Sequence, residues 1–397
     1  MNRVRIAVLS DIHAFSKSAL SQGEPDPSYV ETSASSAAAA DPFASAEILI
    51  KEASLSADIL VCCGDIGDKA HPSAIQYAWG RINGLAATLE AGTVLVTSGN
   101  HDLDSRHNNG YDARATLQTM PGYPFDDESL NNEYWARNVV VVEREGCRFA
   151  ILNSAAFHGQ DGDEWRHGRV SQSTIDYLRR RLDETPARAV NVLICHHHVH
   201  TVGSVDLGDQ SQMRDAQLLT ELLGDGRHGS WLIIHGHRHW PSLTYAAGTA
   251  ISPVVFSAGS FSAVLHQEIA GRARNQFYII DMPTEQGAGR LRGQFRAWDY
   301  IWGAGFSPAR EMSGLPHVGG FGSRLSGLEV AEQIATALDN AKADLMKWAE
   351  IVETAPEIQF LTPADLSQFR HHLKSLNLEV HETEGRIRQI GRSEDET

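Results

Sequence analysis

The stretch LSDIHAF, residues 9–15, closes the first apolar run of the chain and places an aspartate and a histidine two residues apart. The run before it, Val4–Leu9, is typical of a strand that is buried on both faces. In an extended segment, the side chains at positions i and i+2 point the same way. We therefore expect Asp11 and His13 to face one spot at the end of this strand.

The same arrangement returns after four later apolar runs. Each run is followed at once by side chains that carry oxygen or nitrogen donors. Open α/β sheets form their ligand crevices at the carboxyl ends of strands, so we expect these donors to converge. The four segments are Gly64-Asp65, Gly99-Asn100-His101-Asp102, His196-His197-His198 and His235-Gly236-His237-Arg238-His239.

Each of these short motifs has a structural explanation when it is taken singly. An Asp-x-His at a strand end is commonly a turn or a cap, and Gly-Asp is frequent everywhere. Gly, Asn and Asp are turn residues, so Gly-Asn-His-Asp can also be a turn. The informative property is their shared position, because each follows an apolar strand.

Apolar runs of strand length alternate with helical patterns along the first 240 residues, which predicts an α/β sheet domain. Residues from about 243 to 300 are richer in strands, and we expect antiparallel strands that close a second sheet. The predicted helices are Pro42–Leu55, Pro72–Leu89, Ser171–Leu182 and Gln212–Leu223.

The five motifs together, DxH, GD, GNHD, a histidine after a strand and GHxH, resemble those of the calcineurin-like metallophosphoesterase family. They span residues 11–239, and all five are intact. The resemblance implies a four-layered α/β/β/α sandwich over residues 1–300, with two metal ions at the strand ends. It also implies a ligand set that shares one carboxylate: Asp11, His13, Asp65 and His239 for one ion, and Asp65, Asn100, His196 and His237 for the other.

The chemistry of these side chains favours a transition metal pair. A carboxylate has two oxygens, so Asp65 can bridge two cations. Imidazole suits Zn and Fe, whereas carboxylate and amide oxygens suit Mn and Mg, so the mixture favours Mn, Fe or Zn, with Mg possible. Two ions ~3.5–4 Å apart can clamp a phosphoryl group and activate a water. We therefore expect a metal-dependent hydrolase in which a metal-activated hydroxide attacks a phosphoric ester.

The resemblance places His101 close to the leaving group, where its protonated form would donate to the ester oxygen. Asp102 is expected to orient His101, and a turn-capping role for Asp102 is an open alternative. Asp68 is expected to be a loop cap. His158 and His167 are candidates for substrate contact, and Arg238 for phosphate contact or a surface salt bridge.

The formal charge of −16 bears on the substrate. An acidic surface has no general attraction for nucleic acid or for an anionic membrane. A small phosphodiester, such as a cyclic nucleotide, is therefore the first expectation. Phosphomonoesters or phosphoproteins come second and nucleic acid third. A regulatory or interaction protein that uses its C-terminal segment is the non-enzymatic alternative.

The last hundred residues differ in composition from the rest. Residues 301–324 are rich in glycine and are interpreted as a linker. Residues 325–397 predict helices, the first over Leu325–Thr354, followed by a hairpin built from Leu378–His381 and Arg386–Ile390. The apolar positions of the first helix, Ile334, Leu338, Leu345 and Trp348 among them, are expected to pack on the main domain or to form a homodimer or a partner interface.

Two further expectations concern residues 14–41 and the location of the protein. The 14–41 segment is rich in Ser and Ala and is either a mobile lid or a surface insertion. The four cysteines lie mostly in apolar runs, which suggests buried, reduced thiols. Charged residues interrupt any secretory signal and no 18-residue apolar stretch occurs, so a cytoplasmic protein without a membrane span is expected.

Overall fold

The computed structural model describes residues 3–33, 36–106, 108–159, 167–186, 188–201, 211–285, 289–310 and 314–393. Parts of the predicted lid (34–35), linker (311–313) and C-terminal extension (394–397) lie outside the described residues. The strands are β1 (Arg3–Leu9), β2 (Ile59–Cys62), β3 (Thr93–Val96), β4 (Val139–Arg144), β5 (Cys147–Leu152), β6 (Asn191–Ile194), β7 (Trp231–His235), β8 (Ser242–Tyr245), β9 (Val254–Ser257), β10 (Asn275–Pro283), β11 (Gly293–Ile301), β12 (Gly305–Pro308), β13 (Val318–Phe321), β14 (Leu345–Lys347), β15 (Leu378–Thr383) and β16 (Arg386–Arg392).

Helices connect most of the strands. The helices are α1 (Pro42–Glu52), α2 (Pro72–Thr88), α3 (Ala113–Thr119), α4 (Glu128–Arg137), α5 (Gln172–Glu184), α6 (Ala216–Gly224), α7 (Gln267–Ala270), α8 (Gly327–Ala341), α9 (Trp348–Thr354) and α10 (Pro363–Ser375), with short 3-10 helices at Lys17–Ala19, Ala38–Ala40 and Pro356–Phe360. The four helices predicted in the first 240 positions are present to within a few residues, and two further helices, α3 and α4, were not predicted.

Two large sheets form the main domain. The first has the order β12-β11-β10-β1-β2-β3, with β13 also paired to β11, and the second has the order β4-β5-β6-β7-β9-β8. The expectation that all strands after residue 243 would be antiparallel and close the second sheet is wrong. Strand β9 runs parallel to β7, and β10 and β11 extend the first sheet beside β1.

The two sheets stack face to face. Successive side chains of a strand point to opposite faces, so each sheet buries one face against the other sheet and the opposite face against helices. In β5, Phe149 and Ile151 contribute to a central core that also contains Val4 and Ile6 of β1. Their neighbours Ala150 and Leu152 belong to a second core, which α5 and α6 cover. Helices α1 and α2 contribute to the central core from the side of the first sheet. The result is the predicted α/β/β/α layering.

The segment predicted as a linker contributes strands β12 and β13 to the first sheet. Its glycines reflect close packing. A Cβ on Gly319 would meet the ring of Phe295, and a Cβ on Gly320 would meet the backbone of Gln359. The Gly320 amide donates to the Leu361 carbonyl at 3.0 Å, so this segment joins the main domain to the C-terminal part. Glycine here permits a close approach of two backbones.

The C-terminal part is a small unit with its own core. The predicted single helix over Leu325–Thr354 is wrong. Helix α8 begins with a capping box between Ser326 and Glu329 and ends at Ala341. Lys342, the residue after it, adopts the left-handed conformation. Strand β14 follows and pairs with β16, while the predicted hairpin is present as β15 and β16.

The apolar positions of α8 pack inside this unit. Ile334 and Leu338 are fully buried in a core that they share with Phe369, so they are not available to a partner. Leu345 and Trp348, by contrast, are 46% and 37% exposed. Packing on the main domain or on a second copy was expected for all four positions. The unit instead buries the first two against its own elements.

The described part of residues 14–41 is tied to the main domain. The Ser28 hydroxyl donates to the carbonyl of Ile12 at 2.6 Å, and the Tyr29 amide donates to the carbonyl of Ser262 at 2.9 Å. All four cysteines are buried and free. Among the described residues, no helix has both the length and the apolar character that crossing a bilayer requires.

Candidate metal centre

The structure brings all seven predicted ligands together at the carboxyl ends of β1, β2, β3, β6 and β7. The backbone there differs from the expected extended form. Asp11 and His13 have φ values of 53° and 51°, in the left-handed region that non-glycine residues seldom adopt. Strand β1 ends at Leu9, so the i, i+2 rule for strands does not explain their meeting. Hydrogen bonds from their amides to the carbonyls of Gly64 and Asp65, at 3.0 and 2.9 Å, hold this turn.

The first donor cluster contains Asp11, His13 and His239. The Nε2 atoms of the two histidines lie 3.1 Å apart, and Oδ1 of Asp11 lies 3.4 Å from Nε2 of His239. A metal ion with nitrogen ligands at about 2.1 Å separates neighbouring ligand atoms by ~3.0–3.4 Å. The observed spacings therefore match ligand atoms arranged around one cation.

The second donor cluster contains Asn100, His196 and His237. The side-chain oxygen of Asn100 lies 3.0 Å from Nε2 of His196 and 3.0 Å from Nδ1 of His237. The two ring nitrogens are 3.3 Å apart. This group likewise directs three donor atoms at one point.

Asp65 lies between the two clusters. Its Oδ2 is 3.6 Å from Nε2 of His13 and 3.2 Å from Nε2 of His196. Its Oδ1 accepts a hydrogen bond from the His101 amide at 2.7 Å. One oxygen therefore faces both clusters, whereas the sequence suggested one oxygen for each ion.

The donor set fits cations. The Nδ1–H of His196 donates to the Cys63 carbonyl at 2.8 Å, which turns Nε2 toward the oxygens of Asp65 and Asn100. Lone pairs that converge in this way repel one another unless a positive charge lies between them. Burial alone would lower the pKa of His196, but the charge of Asp65 outweighs it and raises the pKa to about 9. The Asp65 carboxylate that favours the protonated ring lies 3.2 Å from Nε2 of His196, and its negative charge would favour a bound cation in the same way.

Residues 4–253 match the family model described as calcineurin-like phosphoesterase, which is more than half of the chain. The chain belongs to this family. The resemblance drawn from the five motifs is thereby confirmed. Residues 319–375, which run from β13 to the end of α10, match a second family model described as wHTH-Calcineurin_assc.

Individual relatives of this calcineurin-like phosphoesterase are distant. A probable cyclic nucleotide phosphodiesterase of Rhodococcus erythropolis is 26% identical over 219 residues, which cover 54% of this chain and 62% of that protein. The chain is also similar to a purple acid phosphatase from yellow lupin seeds, with a TM-score of 0.48, 11% identity and coverage of 75% of this chain and 52% of the other. For the phosphopantetheinyl hydrolase of Mycobacterium tuberculosis the TM-score is 0.37, with 14% identity and coverage of 65% and 90%.

His101 of the phosphoesterase domain is paired with Asp68, which the sequence interpretation had treated as a loop cap. The Nδ1–H of His101 donates to Oδ1 of Asp68 at 2.9 Å. Burial lowers the pKa of His101, but the charge of Asp65 and the bond to Asp68 outweigh it and raise the pKa. The side chain of His101 remains 40% exposed, so the imidazole can meet a ligand.

Asp102 does not take the expected place beside the His101 ring. Its two oxygens accept hydrogen bonds from the amides of Gly67 and Gly99, at 3.0 and 2.8 Å. Burial and the charge of Asp65 raise the pKa of Asp102 to about 7. Asp102 therefore stabilises the loops that carry Asp65 and Asn100. This arrangement corresponds to the turn-capping role that the sequence left open for Asp102.

Asp68 and Ser154 are the residues that the sequence interpretation missed. Ser154 accepts hydrogen bonds from the amides of His196 and His197, at 3.2 and 3.1 Å, and so positions the end of β6. The available signal for Asp68 was its place three residues after Asp65 in the same loop. The signal for Ser154 was its place two residues after the end of strand β5.

The remaining histidines near the centre are buried behind it. His197 stacks on His158, with ring centroids 5.2 Å apart, and His158 shares a hydrogen bond with the Ser105 hydroxyl at 2.8 Å. Burial lowers the pKa of His158 to about 4, so it is neutral near pH 7. His235, the last residue of β7, is buried as well.

Two glycines allow the loops to approach the ligands closely. A Cβ on Gly99 would meet the carboxylate and backbone nitrogen of Asp65. A Cβ on Gly236 would meet the hydroxyl of Ser10 and the carboxylate of Asp11. The glycines of the GNHD and GHxH motifs are therefore required by space around the carboxylates.

A cleft of about 350 Å³ opens over both donor clusters. One part of its wall is polar and includes Arg238 and His266, and another part is apolar. Pro27, from the tied-down 14–41 segment, contributes to the apolar part together with Val264 and Ile269. The cleft thus offers donors for an anionic group beside a surface for an apolar one.

Proposed function

We propose that this chain hydrolyses a small phosphodiester, with cyclic nucleotides as the preferred class, at a centre of two metal ions. The observation that supports the proposal best is the position of Asp65 Oδ2, 3.6 Å from His13 and 3.2 Å from His196. A carboxylate oxygen in this position is shared by two groups of ligands. Family membership supports the reaction class, and the cleft supports the size of the substrate.

The proposed ligand sets are those implied by the motifs. When bound, two ions supply a strongly acidified water as nucleophile and offset the charge of the phosphate. Mn, Fe and Zn fit the mixture of imidazole, carboxylate and amide donors, and Mg fits less well. One ion is assigned to Asp11, His13, Asp65 and His239, and the other to Asp65, Asn100, His196 and His237.

His101 is proposed as the general acid. Its Nδ1–H is used on Asp68, so the exposed Nε2 carries the proton that a leaving alkoxide needs. The carboxylates of Asp65 and Asp68 favour the protonated ring, as their effect on its pKa indicates. Asp68 acts through His101 by fixing its orientation, whereas Asp102 supports the loops.

The cleft and the charge of the protein support the proposed substrate class. A volume of about 350 Å³ suits a small molecule. The apolar wall formed by Pro27, Val264 and Ile269 would accept the base or the sugar of a nucleotide. The formal charge of −16 disfavours a long polyanion. The name of the Rhodococcus relative points in the same direction.

A panel of substrates tests this proposal. The metal-loaded chain is assayed with cyclic AMP, bis(p-nitrophenyl) phosphate, p-nitrophenyl phosphate and single-stranded DNA, and its metal content is measured by mass spectrometry. We expect about two ions per chain and a kcat/KM for diesters at least ~10-fold above that for the monoester. A preference for the monoester or for DNA would reassign the substrate class. A chain that takes up no metal would refute the centre itself.

We also propose a cytoplasmic location, which four buried free thiols support. A homodimer through residues 325–397 remains a prediction, with its exposed apolar positions now limited to residues such as Leu345 and Trp348. Cell fractionation tests the first point. Light scattering on the purified chain, with and without Leu345→Ser, tests the second.

A further inference from the structure

A second cleft, of about 440 Å³, lies between the first sheet and the C-terminal unit. Arg3 and Arg5, at the amino end of β1, form part of its wall, whereas Asp11 of the metal centre follows the carboxyl end of the same strand. Six residues of strand span roughly 20 Å, so this cleft is distinct from the one over the metal ligands.

The second cleft is strongly basic in a protein that carries a formal charge of −16. Among the described residues that line it, Asp281 is the one carboxylate. Arg5 already binds that carboxylate, since its Nε donates to Oδ1 of Asp281 at 2.9 Å. A guanidinium nitrogen of Arg3 lies 4.0 Å from the same oxygen. The lining arginines are Arg3, Arg5, Arg296, Arg386 and Arg388; we call this space the arginine cleft.

The remaining three arginines come from two different parts of the chain. Arg386 and Arg388 are exposed and occupy alternate positions of β16, so both side chains leave the strand on the same side. Arg296 belongs to β11 of the first sheet. Burial lowers the pKa of Arg296, Asp281 opposes this, and the positive charges of Arg386 and Arg5 lower it further. Guanidinium groups gathered in this way repel one another until an anion joins them.

The rim of the arginine cleft carries an aromatic surface. Trp348, the first residue of α9, lines the cleft and is 37% exposed. An exposed indole beside arginines is the arrangement on which a nucleobase stacks, because the base covers the ring while the guanidinium groups bind the phosphate. The amides of Gln294 and Gln359, joined at 3.1 Å, supply polar groups in the same wall.

We propose that the arginine cleft binds a mononucleotide, with its phosphate on Arg296, Arg386 and Arg388 and its base on Trp348. The volume lies in the range of pockets for small molecules, and the acidic remainder of the surface opposes a longer polyanion. The ligand would contact both the first sheet and the C-terminal unit. This site goes beyond the proposed function and does not depend on it.

Calorimetric titration of the full-length, metal-loaded chain with AMP tests the proposal. We expect two binding sites per chain, of which Arg386→Glu/Arg388→Glu removes one or weakens it at least ~10-fold. The Arg386→Gln/Arg388→Gln variant, which deletes charge without reversing it, should weaken the same site. Turnover of bis(p-nitrophenyl) phosphate should stay within about twofold of the unmodified chain, since these arginines lie away from the metal ligands.

A matched control reverses two exposed arginines elsewhere, Arg180→Glu/Arg227→Glu, and should leave both sites intact. Trp348→Leu should weaken AMP while leaving inorganic pyrophosphate unchanged, which separates the base from the phosphate. The proposal is overturned if the unmodified chain binds no AMP, or if the charge-reversal variant binds AMP at as many sites and with the same affinities as the unmodified chain. It is equally overturned if the control loses the same site as the charge-reversal variant.

Discussion

The Nε2 atoms of His13 and His239 lie 3.1 Å apart, although the two residues are 226 positions apart in the chain. Two imidazole lone pairs at this distance repel each other unless a proton or a metal ion lies between them. A cation bound between these two nitrogens would remove that repulsion.

Removal of metal should destabilise the phosphoesterase domain. Each ion at a hundredfold excess over its Kd stabilises the folded state by about 2.7 kcal/mol, provided that the unfolded chain does not bind it. Treatment with a chelator should therefore lower the denaturant midpoint, and Mn should restore it. Tryptophan fluorescence in urea measures the change. The His239→Ala variant should respond less than the unmodified chain, and equal responses would contradict the assignment of His239.

Asp65→Asn should reduce the metal content below that of the unmodified chain and lower kcat by about 100-fold or more. The amide keeps the shape of the side chain but removes the negative charge that both donor clusters face. Metal analysis and a chromogenic diester assay give the two readouts. Asp176→Asn, on the exposed face of α5, is the matched control and should change neither quantity.

Asp68→Asn should lower kcat by about 10- to 100-fold while leaving the folded state intact. The substitution removes the charge that holds the His101 Nδ1–H at 2.9 Å and that favours the protonated ring. The Asp68 carboxylate raises the pKa of His101, so the pKa should fall when it is removed. Because His101 acts in its protonated form, the alkaline limb of the kcat profile should then move to lower pH. A profile that does not move would refute the pairing.

Unlike Asp68→Asn, Asp102→Asn should chiefly lower the stability of the folded state and have a small effect on kcat. Its carboxylate accepts hydrogen bonds from the amides of Gly67 and Gly99, and an amide side chain can satisfy only one of them well. The loss of one such buried bond costs ~1–3 kcal/mol. Urea unfolding should show this loss. A normal stability with a large fall in kcat would instead restore the orienting role first expected for Asp102.

Gly99→Ala should weaken metal binding at least ~10-fold, because the new methyl group would displace the carboxylate of Asp65. Gly84→Ala is a suitable control, since a Cβ at this position in α2 meets nothing within 4 Å. The control should be neutral or stabilise the helix by about 0.5–1 kcal/mol. Competition with a chromogenic chelator measures the affinity of both variants. Similar affinities would show that Asp65 tolerates the added methyl.

The strands of the main domain could be predicted from the sequence because continuous Val, Ile and Leu runs are typical of strands buried on both faces. The antiparallel additions after residue 243 were assigned to the wrong sheet. Local patterns do not encode which sheet a strand joins, since pairing depends on contacts between distant segments. The glycines of residues 301–324 were interpreted as a linker for the same reason. A Cβ on Gly319 would meet Phe295 and a Cβ on Gly320 would meet Gln359, and both of these residues are distant along the chain.

The sequence by itself determined the family and the ligand candidates, because the types of side chain after each strand are fixed by the chemistry that they perform. Only the tertiary structure decided that Asp68 supports His101, that Asp102 supports the loops, and that one oxygen of Asp65 faces both clusters. It also placed arginines from β1, β11 and β16 around one cleft. The physical reason is that hydrogen bonds and electrostatic interactions act over a few ångströms in space, whatever the separation along the chain.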